Sequence, residues 1–249
     1  MENSTTAHMK RILVVGDIHA NYPALKSIQS HTKACRFDRI VNTGDTVVYG
    51  THPNETVEWF RRRKESLCIL GNTDRKVLEI YTGGKLQRPR KEEKRIMYFW
   101  TSANLLSKNA KYLQALPDRT EFSVGGIRIG LFHGTCEDRE GYLFPDAPAS
   151  RFRKLAESSP YRIHIMGHSH IPFHKTVGEY HFINPGSVGR TFDGDPRTSF
   201  AILTISSSGK ITVEHFRIPY RVEKVVRELE RNNLPRIYKK MYRLGRKLN

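Results

Sequence analysis

Asp17 and His19 stand two residues apart in Gly16-Asp17-Ile18-His19-Ala20-Asn21, directly after the apolar run Ile12-Leu13-Val14-Val15. A carboxylate and an imidazole so spaced can turn toward one cation, the oxygen as a hard ligand and the nitrogen as a borderline one. Alone, such a triplet is an ordinary polar turn, but the layout recurs. Asp45 follows Ile40-Val41-Asn42-Thr43-Gly44, and Asn72 and Asp74 follow Leu67-Cys68-Ile69-Leu70-Gly71. His133 follows Ile127 to Phe132, and His168 and His170 follow Ile163-His164-Ile165-Met166-Gly167. Five apolar runs thus end in side chains that bind metals and move protons.

The elements that must position these residues follow from the same runs. Short β-branched stretches closed by glycine predict buried strands ending in tight turns. The C-terminal tips of strands are where open α/β sheets bind ligands, and glycine lets the backbone turn sharply close to a bound group. Between the first two strands, Tyr22 to Lys33 places Leu25 and Ile28 at helical spacing with Pro23 in its first turn, a crossover helix. Asn54 is the expected cap of a second helix, which carries Val57 and Phe60 and ends in Arg61-Arg62-Arg63-Lys64. Cations suit a helix C-terminus, so this run reads first as structural and second as an anion patch. Residues 75–117 interrupt the strand pattern. Thr82-Gly83-Gly84-Lys85 marks a loop, and Lys91 to Leu116 reads as two helical stretches that would cap or wall a cleft. Tyr98 and Trp100 could stack on a nucleobase, although aromatics in helices more often pack in cores. From Thr120 the pattern changes to hairpins, with Glu121 to Val124 and Ile127 to Phe132 joined by Gly125-Gly126. A short helix is expected at 149–157 and strands at Pro172 to Val177, Tyr180 to Ile183, Ser199 to Ile205 and Lys210 to Arg217. Residues 221–231 put Val222, Val225, Val226 and Leu229 on one helical face, and a basic helix begins at Pro235.

The ordered set Asp17-x-His19, Gly44-Asp45, Gly71-Asn72-x-Asp74, His133-Gly134 and Gly167-His168-x-His170 resembles the calcineurin-like metallophosphoesterase superfamily, and within it the small bacterial and archaeal phosphodiesterase branch. Asn184-Pro185-Gly186-Ser187-Val188-Gly189, followed by Asp193-Gly194-Asp195-Pro196-Arg197, is similar to the usual ending of that branch. The resemblance implies an α+β fold, a four-layer α/β/β/α sandwich of two mixed sheets flanked by helices. It would span residues 10–217, with 75–117 as a helical cap insertion and 218–249 as a basic C-terminal helical segment. It also implies two divalent cations. Asp45 would bridge them, with Asp17, His19 and His170 on one and Asn72, His133 and His168 on the other. Such a pair, about 3.5 to 4 Å apart, can hold a hydroxide between them and clamp a phosphate for in-line attack. Catalysis would rest on Asp45, Asn72 and His133. Mn²⁺ heads the ions that suit mixed N/O ligands, with Fe²⁺, Ni²⁺ and Zn²⁺ as alternatives. His8, His31, His52, His164, His174, His181 and His215 match no motif and read as surface or core residues.

One position departs from the pattern. Many members carry His after the Asn of the third loop, where this chain has Thr73. Threonine cannot donate a proton near neutral pH, so phosphodiesters or anhydrides with good leaving groups are the expected substrates, and alkyl phosphomonoesters poor ones. Thr73 remains a candidate substrate contact. So are Asn21, Asp74 as a water-orienting group or partner of Arg75, and Arg190 and Arg197 as holders of a distal phosphate.

Composition bounds the rest. At 249 residues and 38% hydrophobic content the chain can bury a sizeable core, and no apolar run approaches the length of a membrane span. Cys35, Cys68 and Cys136 are odd in number and lack C-x-x-C spacing, against both a disulfide framework and a thiolate zinc site. Residues 1–9 show no signal pattern, and Ala7-His8-Met9 reads as a cloning remnant before a native start at Met9. Cytoplasm is the expected compartment, and a homo-oligomer stays open. Formal net charge is +17, and from Arg217 onward eleven Lys or Arg face three Glu. A solvated helix face is the plain reading of that segment, with nucleic acid, acidic partners or phosphate-rich substrates as the alternatives. The function expected is a metal-dependent phosphodiesterase acting on a nucleotide-like or other organic phosphate. A dinucleoside polyphosphate hydrolase, a non-catalytic interaction scaffold of the same fold and an RNA-binding factor are the competing readings.

Overall fold

Ile12, Leu13, Val14 and Val15 are all buried, two on each face of one strand, which is why the run is continuous rather than alternating. In the computed structural model, which describes residues 9–249, this strand is β1 (Lys10–Val15). The expectations placed on Ala7 and His8 lie outside the described residues. The chain continues through α1 (Tyr22–His31), β2 (Arg39–Asn42), α2 (Pro53–Arg61), β3 (Ser66–Cys68), α3 (Asn72–Tyr81), α4 (Glu92–Asn104) and α5 (Ser107–Gln114). It then forms β4 (Arg119–Val124), β5 (Ile127–Phe132), α6 (Ala149–Glu157), β6 (Ile163–Ile165), β7 (Phe173–Val177) and β8 (Tyr180–Asn184). Last come β9 (Thr198–Ile205), β10 (Ile211–Ile218), α7 (Val222–Arg231) and α8 (Arg236–Leu244).

Two mixed five-stranded sheets result, in the orders β10-β9-β1-β2-β3 and β4-β5-β6-β8-β7. Ile12, Val14, Val41 and Leu203 of the first meet Ile129, Leu131, Ile163 and Ile183 of the second in the core between them. Each such side chain contributes about 1.5–3 kcal/mol by leaving water. On the far face of the first sheet, Leu13 and Val15 pack under Leu25 and Ile28 of α1 and Phe60 of α2. On the far face of the second, Phe173 and Phe182 pack under Phe152 and Leu155 of α6. This is the helix, sheet, sheet, helix layering expected.

Register puts the ligand loops at one edge. β1 runs parallel to β2 with Val15 beside Asn42, and β2 parallel to β3 with Asn42 beside Cys68. In the second sheet β5 runs parallel to β6 with Leu131 beside Ile165. Parallel strands that end level deliver their following residues to one place, so Asp17, Asp45, Asn72, His133 and His168 converge.

Two local expectations change. Asn54 does not cap α2; the helix starts at Pro53, whose fixed φ suits the first turn, and His52 holds the cap position without a side-chain bond. Asn54 instead accepts from the Leu106 and Asn109 nitrogens and donates to the Asn104 carbonyl, pinning the α4–α5 junction to α2. The stretch expected as a cap is preceded by a helix, α3, that starts at Asn72. Its polar first turn, Asn72-Thr73-Asp74-Arg75-Lys76, hid the periodicity that Val77 and Leu78 anchor.

Helices α3, α4, α5, α7 and α8 share one core, in which Tyr98, Leu113, Leu229, Tyr238 and Met241 are buried. The basic C-terminal helices therefore pack through an apolar face and turn most of their charge outward, where Arg243 meets Glu223 and Lys239 meets Glu230. Cys35, Cys68 and Cys136 are free thiols, and burial pushes Cys68 up to about 12. Among the described residues no helix is long and apolar enough to cross a membrane.

Candidate metal centre

The loops after β1 and β2 run side by side, with Asp17 N donating to Gly44 O (3.0 Å), His19 N to Asp45 O (2.9 Å) and Ala20 N to Thr46 O (2.9 Å). The loop after β8 locks the first from behind, since Ser187 Oγ and Gly189 N both donate to Asp17 O. Asn184 ties it to the loop after β6 by donating to Gly167 O (2.9 Å). Gly44 sits at φ +96°, and a Cβ there would lie 2.5 Å from Gly71 N, so only glycine lets the second and third loops approach. Eight non-glycine residues of these loops, Asp17, His19, Ala20, Asp45, Val48, Tyr49, His168 and His170, hold left-handed φ of 49° or more. Each such residue costs of order 1 kcal/mol or more, and such strain gathers where geometry matters for function.

The donor atoms fall into two groups. Asp17, His19, Asp45 and His170 bring ligand atoms within 4.8 Å of one another, and so do Asp45, His133 and His168. Asp45 belongs to both. The structure fixes the tautomers of two imidazoles. His133 Nδ1 faces Thr43 O at 2.8 Å and His170 Nδ1 faces Arg190 O; a carbonyl only accepts, so both Nδ1 atoms carry the proton and both Nε2 atoms present a lone pair inward.

Within the protein those lone pairs face other ring nitrogens, a carboxylate oxygen and the Asn72 amide. His170 Nε2 faces His19 Nε2 at 3.3 Å and Asp17 Oδ1 at 3.3 Å. His133 Nε2 faces His168 Nδ1 at 3.0 Å and Asn72 Oδ1 at 2.9 Å. With its oxygen inward, Asn72 sets one lone pair against another, a contact that a cation relieves or that the amide relieves by turning its nitrogen to His133 and its oxygen to Lys76. Asp17 Oδ1 is buried without a hydrogen-bond donor. Acceptors crowded together in this way fit a bound cation. Protonation agrees. Burial alone would raise the two carboxylates, but His170 beside Asp17, and His133 and His19 beside Asp45, hold both below the usual range. Burial pushes His19 down to about 3 and, with His133 adjoining, His168 to about 4. Near neutral pH the carboxylates are charged and these imidazoles neutral, which is the state metals bind.

Residues 9–208 match the calcineurin-like phosphoesterase superfamily domain. The chain belongs to that superfamily. It is 29% identical over 252 residues to the uncharacterized protein MJ0912 of Methanocaldococcus jannaschii, covering 94% of this chain and 98% of the relative. A metallophosphoesterase structure from Sphaerobacter thermophilus shares 26% identity and a TM-score of 0.78, covering 96% of this chain and all of that one. The hypothetical protein PH1004 of Pyrococcus horikoshii shares the fold, with a TM-score of 0.82 at 17% identity over 95% of this chain and 99% of its own. For a calcineurin-like phosphoesterase the two donor groups are a candidate divalent-metal centre.

Around that centre the phosphoesterase domain places the other expected residues unequally. Thr73 and Arg190 line the open cleft of about 550 Å³ above the donors. Thr73 N donates to Asp45 Oδ1 (2.8 Å) and its hydroxyl to Val47 O (3.2 Å), so the side chain is engaged with the second loop. Three expected contacts belong elsewhere. Asn21 caps α1 through Ala24 N and donates to Gly189 O, because a residue before Pro23 in a helix start is best used as its cap. Asp74 is sealed beneath Asp45, where it accepts from Gly71 N, Thr46 N and Val47 N; Arg75 pairs with Asp118 instead. Burial and the charge of Asp45 push Asp74 up to about 7 against those three donors. Arg197 forks onto the neighbouring Asp195 at the surface.

The cleft also holds residues that the sequence did not single out. Tyr142 lies over His168 (4.2 Å between ring centroids), and Phe192 stacks on His170 (4.1 Å, planes 2° apart). Tyr98, expected mainly as a packing residue, is 2% exposed yet reaches the cleft edge, whereas Trp100 packs against the cap core. Lys76, Arg88, Lys94 and Lys247 complete the lining. No spacing rule marks these residues; only the excess of positive charge hinted at them.

Proposed function

We propose that the protein is a dinuclear metal-dependent phosphodiesterase, cleaving a phosphodiester or phosphoanhydride bond of a nucleotide-like or other organic phosphate. The observation that carries this reading is the sharing of Asp45 by two groups of buried donors. One group, Asp17, His19 and His170, would hold one cation with Asp45; the other, Asn72, His133 and His168, would hold the second. When bound, the pair supplies Lewis acidity toward the phosphate and acidifies water. The chain's own contribution is to fix the donors in place. Thr43 O and Arg190 O hold His133 and His170 in the ligating tautomer, and Thr73 N and Asp74 keep the Asp45 loop against α3. The Asn72 amide sits at the first turn of α3, whose dipole favours an anion there.

Leaving-group chemistry follows from Thr73. Its hydroxyl is spent on Val47 O, and threonine is no proton donor at neutral pH. Diesters and anhydrides, whose leaving groups depart without strong proton assistance, are therefore the favoured substrates. Mn²⁺ is the metal we favour, with Fe²⁺, Ni²⁺ or Zn²⁺ as alternatives for such N/O donors.

Purified protein loaded in turn with these metals tests the reading. The expected result is faster turnover of bis(p-nitrophenyl) phosphate than of p-nitrophenyl phosphate, with metal content and rate lost together in His168→Ala. Faster monoester turnover would overturn the substrate preference. Less than one ion per wild-type chain would favour the scaffold reading of the fold.

A further inference from the structure

Arg190 follows the Asn184-to-Gly189 loop and is 6% exposed. Its guanidinium lies 3.8 Å from the Tyr49 ring, with the Phe192 and Tyr238 rings beyond at 5.1 and 5.4 Å. Nη2 faces Met241 Sδ at 3.7 Å, and Nε is buried without a hydrogen-bond partner. Aromatic faces offset part of the cost of desolvating a guanidinium, but they offer no counter-charge. Among the described residues Arg190 makes no ion pair with a carboxylate, and neither do Lys76, Arg88, Lys94 or Lys247, its companions in the cleft lining.

These cations come from unrelated parts of the chain and crowd one another. Lys94 projects from α4 and Lys247 from the segment after α8. Burial, and next the charges of Arg190 and Lys247, bring Lys94 down to about 8. Lys247 sits 5.7 Å from the Phe192 ring, whose other neighbours are Arg190 and the candidate ligand His170. Tyr49 likewise touches both His19 and Arg190. The cationic wall thus adjoins the Asp17, His19 and His170 side of the centre. Of all the residues lining the cleft, only Asp45 carries negative charge, and it belongs to the metal donors.

We propose that Arg190, Lys94 and Lys247 form a second anion subsite, so that the substrate cut at the metal centre carries a further phosphoryl group held against this wall. A simple diester brings one negative charge, which two divalent cations would already match once Asp17, Asp45 and a hydroxide offset three of their four charges. Three more cations without counterions call for an additional dianion, and a planar guanidinium flanked by two ammonium groups suits phosphoryl oxygens. The proposal rests on the reading of the donor groups as the site of cleavage. The second phosphoryl can be joined to the first by an anhydride or carried on another carbon of the substrate; the chemistry at the wall is the same.

Calorimetric titration of the metal-loaded protein with AMP, with the α,β-methylene analogue of ADP and with adenosine 3′,5′-bisphosphate tests the subsite and separates the two sources. At least one two-phosphate ligand is expected to bind about tenfold or more tighter than AMP, and whichever gains more identifies the linkage. The ratio should shrink toward one in Lys247→Ala and in Lys94→Ala. It should persist in Lys224→Ala, which removes an exposed cation lining a separate groove beside α1. Equal binding of one- and two-phosphate ligands by wild type would overturn the subsite, as would an equal fall of the ratio in Lys224→Ala, which would reduce the effect to bulk charge. Turnover of bis(p-nitrophenyl) phosphate without a binding ratio defeats the subsite alone. A ratio in protein that retains no metal defeats the dinuclear reading alone.

Discussion

The floor of the cleft and its wall hold opposite charges by different means. The floor gathers carboxylates and imidazoles at strand tips, fixes them through backbone hydrogen bonds between neighbouring loops, and accepts left-handed backbone at eight non-glycine residues, Val48 and Tyr49 among them, to do so. The wall gathers cations from a cap helix, a loop and the C-terminal segment, and fixes Arg190 by aromatic packing. A rigid floor suits metal coordination, in which donor positions must hold to fractions of an ångström. A wall of long, partly exposed side chains on packed helices tolerates more variation in what it binds. The same contrast separates the part of the site that chemistry requires from the part that selects a substrate.

Breaking the floor should have the largest effect. Asp45→Asn removes the anionic ligand that both donor groups share. Diester turnover is expected to fall by about a thousandfold or more, beyond the 10–100-fold typical of losing an outer hydrogen-bond partner. Bound metal, measured by elemental analysis, should fall with it; full metal content with lost turnover would separate Asp45 from ligation. A step behind the floor, Asp74→Ala frees three buried N–H donors, Gly71 N at the start of α3 and Thr46 N and Val47 N of the loop after β2. It should lower stability by about 1–3 kcal/mol in denaturant titration. An unchanged midpoint would mean that those donors find other acceptors.

A smaller effect comes from buried imidazoles, two of the floor and His164 within β6. In the metal-free protein His19 titrates near 3 and His164 and His168 near 4, each depressed first by burial, whereas unfolded histidine titrates near 6.5. Between about 4 and 6.5 the unfolded chain therefore binds more protons at these three positions, and stability falls as pH falls through that window. Asp74 acts in the opposite direction, since its folded value of about 7 lies above that of an unfolded aspartate, but it is one group against three. The melting temperature of metal-free protein should be lower at pH 5 than at pH 7.5. The reverse order would show that these imidazoles are not buried neutral.

The contrast also explains what could be read from the sequence. The floor was legible because each candidate donor follows its own strand within one to five residues, so the strand pattern and the donor pattern are a single local signal. The β-sandwich was legible for the same reason, from strands such as Ile12 to Val15 that are apolar on both faces. The wall was not. Arg190 was anticipated from its place after the glycine-rich loop, but Lys94 and Lys247 lie 153 positions apart and share no spacing, and only the packing of α8 with α4 brings them together. Asn21, Asp74 and Arg197 show the converse error, in which polar residues close to a motif were credited with its chemistry. Asn21 and Asp74 are satisfied instead by backbone groups, as most buried polar groups are, and Arg197 by its surface neighbour Asp195.

Anomalous diffraction from crystals grown with Mn²⁺ tests the central claim most directly. Two ions should appear on either side of the Asp45 carboxylate, about 3.5 to 4 Å apart, one beside Asp17, His19 and His170 and the other beside Asn72, His133 and His168. A single ion, or ions that leave Asp45 without a metal contact, would contradict the account.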